Sequence, residues 1–235
     1  RLAAALDQLE FMVSLDIYLN ETTRHADVIL PGGSPLEEMH YDVAFSQLSH
    51  RNHARYSPAA LPRPAGMPAE WETLLRLCAI VGGRGAQADI VALDDELAAA
   101  DVLRRAGAHA DAVLRAVSRW QGPERLLDLA LRAGPYGDQF GLKPDGLNLA
   151  RLMAAPDGID LGPLAARVPE VLRTPSGKIE LAPPILLDDL GRAAADLDRP
   201  APELVVIGRR QLRSNNSWMH NLPTLAKGPF RCTAL

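Results

Sequence analysis

Cysteine is almost missing from this chain, and its scarcity narrows the chemistry. The two cysteines, Cys78 and Cys232, lie far apart and form no Cys-x-x-Cys, so the stretch carries no zinc or iron–sulfur ligand pattern. Cys78 falls on an apolar helical stripe and is expected as a buried thiol. No apolar run approaches the roughly 18 residues that a membrane-spanning helix requires. No block of Lys and Arg occurs and the formal charge is −4, which argues against a nucleic-acid-binding surface. His50 and His53 stand three apart with no cysteine or carboxylate in ligand spacing, and His40 is isolated, so none of the three reads as a metal ligand. The 235 residues suffice for one large or two small domains. Because the chain opens on Arg1 and runs at once into Leu2–Leu6, and stops at Leu235 soon after a new strand-like pattern, it reads as an internal piece of a longer polypeptide.

What is present is organised around Glu10 to Pro31, EFMVSLDIYLNETTRHADVILP. Phe11 to Leu15 and Val28 to Leu30 are short apolar runs bounded by turn chemistry, as buried strands are. The first run ends on Asp16, a carboxylate at a strand's carboxyl end, where open α/β sheets bind ligands. Asn20, Thr22 and Thr23 are good N-cap residues for one or two turns of helix through Ala26. An acid at a strand tip before a helix N-terminus suits a nucleotide: the acid takes ribose or base donors, and free N–H groups face phosphate. The same residues also suit an ordinary strand–loop–strand connection with Asp16 as a solvated turn residue.

The phrase LDIYLNETTRHADVILP resembles the third domain of the molybdopterin oxidoreductases, the family of formate dehydrogenases, nitrate reductases and their relatives. Its members carry a bis-molybdopterin guanine dinucleotide cofactor with molybdenum or tungsten. The resemblance implies that Asp16 is the family's nucleotide-contacting acid and that Asn20–Glu21–Thr22–Thr23 and Ala26–Asp27 belong to the same signature, with Thr22 at the cofactor. It also places a polar or acidic pair, Glu37 and Glu38, beside the nucleotide, and sets Glu70 at an acid that contacts guanine in some members. Read from residue types alone, Glu37 and Glu38 are equally solvated helix-start acids, and Glu70 is equally an acid favoured by a helix dipole.

Between these points the segment from Gly32 to Pro58 is polar and irregular, with a short amphipathic piece at Tyr41 to Leu48. Pro58 to Pro68 reads as a connector. Ala69 to Val81 has the spacing of an amphipathic helix with Trp71, Leu74, Leu75, Cys78 and Val81 on its stripe. Gly82 and Gly83 supply its C-cap, which makes GGRG a helix end and not a phosphate loop. From Asp89 the composition turns to Ala, Leu, Arg and Asp, and helices are expected over Asp94–Ala106, Ala110–Trp120, Pro123–Ala133 and Asn148–Ala154. They form a helical subdomain without a chemical constellation.

Two later stretches extend the resemblance. TPSGKIEL, with a turn at Thr174–Gly177 and alternation over Lys178 to Leu181, is a recurring phrase of the family just before its last domain. Ile185 to Leu197 reads as a helix, Asp198 to Pro202 as a linker and Leu204 to Gly208 as a strand. The following RRQLRSNNSWMHN resembles the loop that opens the family's C-terminal β-barrel and lies across pterin and pyrophosphate. The resemblance therefore implies cofactor contacts from Gly208, Arg209, Ser214, Asn215, Asn216, Trp218 and His220. Gly208 would allow close backbone approach, Arg209 would supply a fork for phosphate or pterin oxygens, and Trp218 would stack.

The implied architecture is α/β: part of a doubly wound sheet domain over 1–83, a helical insertion and connector over 84–199, then the first strands of a β-barrel over 200–235. The implied function is two-electron redox of a small substrate, such as formate or an oxyanion, at the metal of the dinucleotide cofactor. The metal ligand and any 4Fe-4S cluster would lie upstream of Arg1, so no catalytic residue is assigned. A cytoplasmic enzyme with an electron-transfer partner subunit is expected. Two other readings stand beside it: a metal-free electron-transfer scaffold, similar to the large peripheral subunit of NADH dehydrogenase, and a structural α/β module. The SNNSWMHN loop favours the enzyme, because a scaffold has no need of pterin donors. One departure is visible: PLEEMHYDVAFSQLSHRN replaces the Gly–Tyr/Phe–Asn stretch that follows the second strand in many members, so the substrate is left open.

Overall fold

A computed structural model describes residues 1–208, 222–225 and 227. Helix and strand are mixed, at 41% and 10%. The chain divides into two compact units, Arg1–Ala166 and Arg167–Leu235.

The first unit opens with helix α1 (Leu2–Leu6), followed by strands β1 (Val13–Leu15) and β2 (Val28–Leu30). These two pair in parallel, with Val13 opposite Val28 and Leu15 opposite Leu30. Their connection holds a single 3₁₀ turn, Thr23–His25, in place of the expected α-helical turns. The reason is local: the Asn20 side chain accepts from the Thr22 and Thr23 N–H groups at 2.9 and 3.0 Å, satisfying the donors before an α-turn can propagate.

The polar segment after β2 is more ordered than its composition suggests. It contains β3 (His40–Tyr41), β4 (Arg51–Ala54) and β5 (Tyr56–Ser57). The expected amphipathic piece shrinks to a 3₁₀ turn at Ser46–Leu48. β3 pairs antiparallel with β5, and β4 pairs antiparallel with β6 (Ile159–Pro163). The partner of β4 lies over a hundred residues away, clasped by Arg51 on Asp160 through three contacts of 2.7 to 3.1 Å. A polar strand with a distant partner leaves no periodic trace to read.

Helix α2 (Glu70–Val81) ends as its glycines suggest: the Gly82 N–H donates to the Cys78 carbonyl at 2.8 Å and the Arg84 N–H to Ala79 at 2.8 Å. Its inward face differs from the expected stripe. Ala79 is buried and Trp71 and Leu75 half-buried, whereas Leu74, Cys78 and Val81 are exposed. Cys78 is therefore an exposed thiol. Every turn of this helix carries apolar residues on more than one side, so periodicity alone does not select the packed face.

Helix α3 (Ile90–Ala106) begins four residues before the expected start, because the Asp89 carboxylate accepts from Val91 and Ala92 N–H and caps it. Helices α4 (Ala110–Val117), α5 (Gly122–Ala133) and α6 (Leu149–Met153) follow, and Asn148 caps α6. One core gathers Ala54, Tyr56, Leu127, Leu131, Leu149 and Leu152, joining the small strands to α5 and α6. A second gathers Val102, Ala110 and Val113 between α3 and α4.

In the second unit, Thr174–Gly177 forms the expected turn, with Gly177 N–H donating to Thr174 at 3.0 Å and the Thr174 hydroxyl to the Lys178 carbonyl at 2.7 Å. Lys178 to Leu181 and Leu204 to Gly208 are not strands. Both stretches are exposed and find no pairing strand among the described residues, and a strand exists only as one member of a ladder. Helix α7 (Pro184–Leu197) is present and has no buried residue.

Candidate cofactor site

The tip of the parallel pair is built by short polar side chains. The Asp16 N–H donates to the Leu30 carbonyl at 3.2 Å, which sets this carboxylate at the shared carboxyl end of β1 and β2. Asp16 accepts from the Tyr18 N–H and from Asn20 Nδ2, each at 3.0 Å. These bonds, the backbone one foremost, hold its pKa below the ordinary carboxylate value. An ionised carboxylate offers about four lone-pair directions, and the Tyr18, Asn20 and Ile17 donors do not use all of them, so room is left for an outside donor. Ile17, Tyr18 and Leu19 stand exposed beside it.

The turn beneath is cross-linked by side-chain hydrogen bonds. The Thr23 hydroxyl donates to the Tyr18 carbonyl and accepts from the Asn20 N–H, both at 2.8 Å, and the residue is only 1% exposed. Thr22, the site residue implied by the resemblance, is exposed, and its N–H is already taken by Asn20. Asn20 and Thr23 are thus the residues that shape Asp16. An Asx side chain followed at short spacing by threonine was the available signal. Asp27 is also spent internally: its carboxylate accepts from Met12 N–H at 2.7 Å while its own N–H donates to the Met12 carbonyl, closing the loop where the two strands begin.

The other acidic candidates lie in a different setting. Glu37 accepts from the Ser34 N–H at 2.9 Å and caps a 3₁₀ turn at Pro35–Glu37. Glu38 is ion-paired with Arg63 at 2.9 Å, a partner that the Pro-rich connector hid. Arg63, Trp71, Tyr56 and Glu124 line, with these acids, a cavity of about 210 Å³. Glu70 is exposed in the first turn of α2, where Glu72 instead reaches back to the Ala69 N–H. Gly208 is exposed. Arg209, Ser214, Asn215, Asn216, Trp218 and His220 lie outside the described residues.

Tyr56 gives this cavity a measurable signature. It is buried, and its hydroxyl donates to Glu124 at 3.2 Å; burial first, then the Glu124 charge, pushes the phenol up to about 12. A raised pKa in the folded state stabilises the fold below the unfolded value of 10.0 and is lost as pH rises toward about 12. Alkaline unfolding monitored by tyrosinate absorbance should show this loss, and Tyr56→Phe should flatten it. An unaltered profile in the variant would remove Tyr56 as its source.

Among the described residues no group of three or more His, Cys, Asp and Glu could hold a metal ion, and no helix is long and apolar enough to cross a membrane. Comparison of the chain with protein-family models, with curated proteins and with solved structures finds no match.

Proposed function

We propose that this chain is a cofactor-binding segment of a molybdenum or tungsten oxidoreductase, with the Asp16 tip holding the guanine end of a molybdopterin dinucleotide. The observation that carries the reading is the placement of an ionised, accessible carboxylate on a braced loop at the carboxyl end of a parallel strand pair. That donor set fits the group. Guanine presents adjacent N–H donors, and the free lone pairs of Asp16 are suited to accept them. Asn20 and Thr23 orient the carboxylate before any ligand arrives, which lowers the ordering cost of binding. The Thr22 hydroxyl is available to a ribose or phosphate oxygen, and the exposed Tyr18 ring to a base.

By resemblance, Arg209 and the loop from Ser214 to His220 hold pyrophosphate and pterin, with Gly208 leaving room for the backbone. Glu38, clamped by Arg63, and Glu70, at the start of α2, contribute acids near the nucleotide in the same reading. The finer architecture that accompanies it is a doubly wound sheet domain, a helical insertion and the opening of a barrel. When bound, the cofactor supplies two-electron redox of a small substrate. The residues of this chain bind and orient it, and electrons pass to a partner subunit in the cytoplasm.

In the full-length protein, Asp16→Ala and Arg209→Ala should each lower molybdenum or tungsten content and releasable guanine nucleotide by roughly tenfold at limiting cofactor, the loss of one charge-assisted hydrogen bond. Thermal stability of the apoprotein should change little. Unaltered metal and nucleotide content in both variants would overturn the assignment, and a protein with stoichiometric iron and neither metal would point to the scaffold.

A further inference from the structure

A second cavity, of about 360 Å³, lies in the first unit between the β4–β6 pair and the chain that leaves α5. Leu131, Leu147 and Leu161 make its floor, the first two buried. Five polar side chains line it as well: Tyr41, Ser46, Asn52, His53 and Tyr136. No residue of its lining carries a carboxylate, an ammonium or a guanidinium.

The strand register explains how adjacent residues share one cavity. Successive residues of a strand face opposite sides of a sheet, yet both Asn52 and His53 line this space. Between them the ladder slips: Asn52 pairs with Gly162 and His53 with Asp160, leaving Leu161 as the extra residue. A bulge of this kind re-aims side chains and is common beside binding sites. It is built in, because Gly162 sits at φ +96°, where a side chain is disfavoured, and its N–H donates to the Asp160 carboxylate at 2.9 Å.

The polar groups are largely unspent. The hydroxyls of Tyr41, Ser46 and Tyr136 have no hydrogen-bond partner among the described residues. His53 engages only one ring nitrogen, at 3.4 Å, and the Asn52 amide nitrogen donates to the Pro163 carbonyl. Burial raises the Tyr41 pKa, with the Asp42 charge adding to it, so that phenol remains a donor at neutral pH. Three hydroxyl donors therefore face a neutral space with two aromatic rings, beside two acceptors, the Asn52 Oδ1 and the His53 Nε2.

We propose that this cavity binds a small, neutral, planar ring bearing carbonyl oxygen, such as an aromatic ketone or quinone. Its apolar floor and the tyrosine rings take the ring faces, and the hydroxyls donate to the oxygen. A carboxylate would enter without a cation to meet it, and an ammonium would find no anion; either charge would lose its hydration uncompensated. The inference is independent of the dinucleotide reading, since it uses neither Asp16 nor the loop after Gly208.

Ligand-detected NMR on the full-length protein tests it with acetophenone, benzoate and benzylammonium as matched probes. Acetophenone should bind saturably and at least tenfold more tightly than either charged analogue. Tyr41→Phe, which keeps the ring and removes one free hydroxyl, should weaken it about fivefold, the loss of one neutral hydrogen bond. Leu164→Trp, placed at the half-exposed rim, should abolish it without changing the circular dichroism spectrum. Cofactor content should be unaffected in both variants, which separates this outcome from that of the Asp16 test. Absence of saturable acetophenone binding, equal binding of benzoate, or wild-type affinity in both variants would overturn the proposal.

Discussion

Asp128→Ala is expected to cost the first unit about 3–5 kcal/mol, the range for breaking a buried ion pair from one side. Asp128 is inaccessible, and each of its oxygens is committed. One accepts from the Leu149 N–H at 2.7 Å, so an α5 side chain satisfies the first turn of α6. The other accepts from Arg132 Nε at 2.9 Å. Arg132 in turn reaches Asp138 at 2.6 Å, which also accepts from Asn148 at 3.1 Å. Alanine would orphan the Leu149 N–H, leave the guanidinium half-paired and open a void beside Leu149 and Leu152. Asp128→Asn, which keeps an acceptor but not the charge, should cost about 1.5–3 kcal/mol. The check is the urea midpoint at unchanged slope; a loss below about 1 kcal/mol for alanine would show that the network is not a stabilising element.

Gly146→Ala is expected to destabilise the same unit by about 3 kcal/mol or more, through steric overlap that no rotamer can relieve. A Cβ at Gly146 would fall inside contact distance of the Asp138 backbone and the Gly137 carbonyl carbon. The two chain segments press together because Asp138 N–H donates to the Leu147 carbonyl at 3.0 Å and Leu147 N–H to Tyr136 at 2.7 Å. Moving either segment disturbs Asp138 and hence Arg132 and Asp128. The double variant with Asp128→Ala should therefore lose less than the sum of the two. Gly191→Ala is the control: its Cβ would meet nothing within 4 Å in the interior of α7, so the first unit's midpoint should not move. Equal, small effects at Gly146 and Gly191 would refute the close approach.

How much of this was readable beforehand depends on the range of the interactions. The acid at the end of the first strand, the second strand and the helix ends at Gly82–Gly83 and Asn148 are local chemistry, and the structure has them where the residues place them. The first strand is shorter than its apolar run, at Val13–Leu15, and neither strand is buried, because burial depends on what packs over them. The capping of α3 by Asp89 is equally local, but the apolar pattern begins later than the cap and so points to a later start. Strands β4 and β6 were not readable: their residues are polar or glycine-containing, and each becomes a strand only by meeting the other. The packed face of α2 differs from its apolar stripe because several of its faces are apolar and only neighbouring helices choose among them. The expected strand at Leu204–Gly208 is a continuous apolar run but has no ladder partner among the described residues.

The candidate site divides in the same way. Asp16 was marked by position in the sequence, yet the reason it is oriented and ionised lies in Asn20 and Tyr18 folding back on it. Glu38 was marked too, and its engagement with Arg63 depended on a connector whose path no local rule describes. By itself the sequence determined which segments cap, turn and carry charge, since those properties reside in a few consecutive residues. Only the tertiary structure decided which strands pair, which helix face is covered and which polar groups stay unspent around the bulge, because each is settled by contacts between residues far apart in the chain.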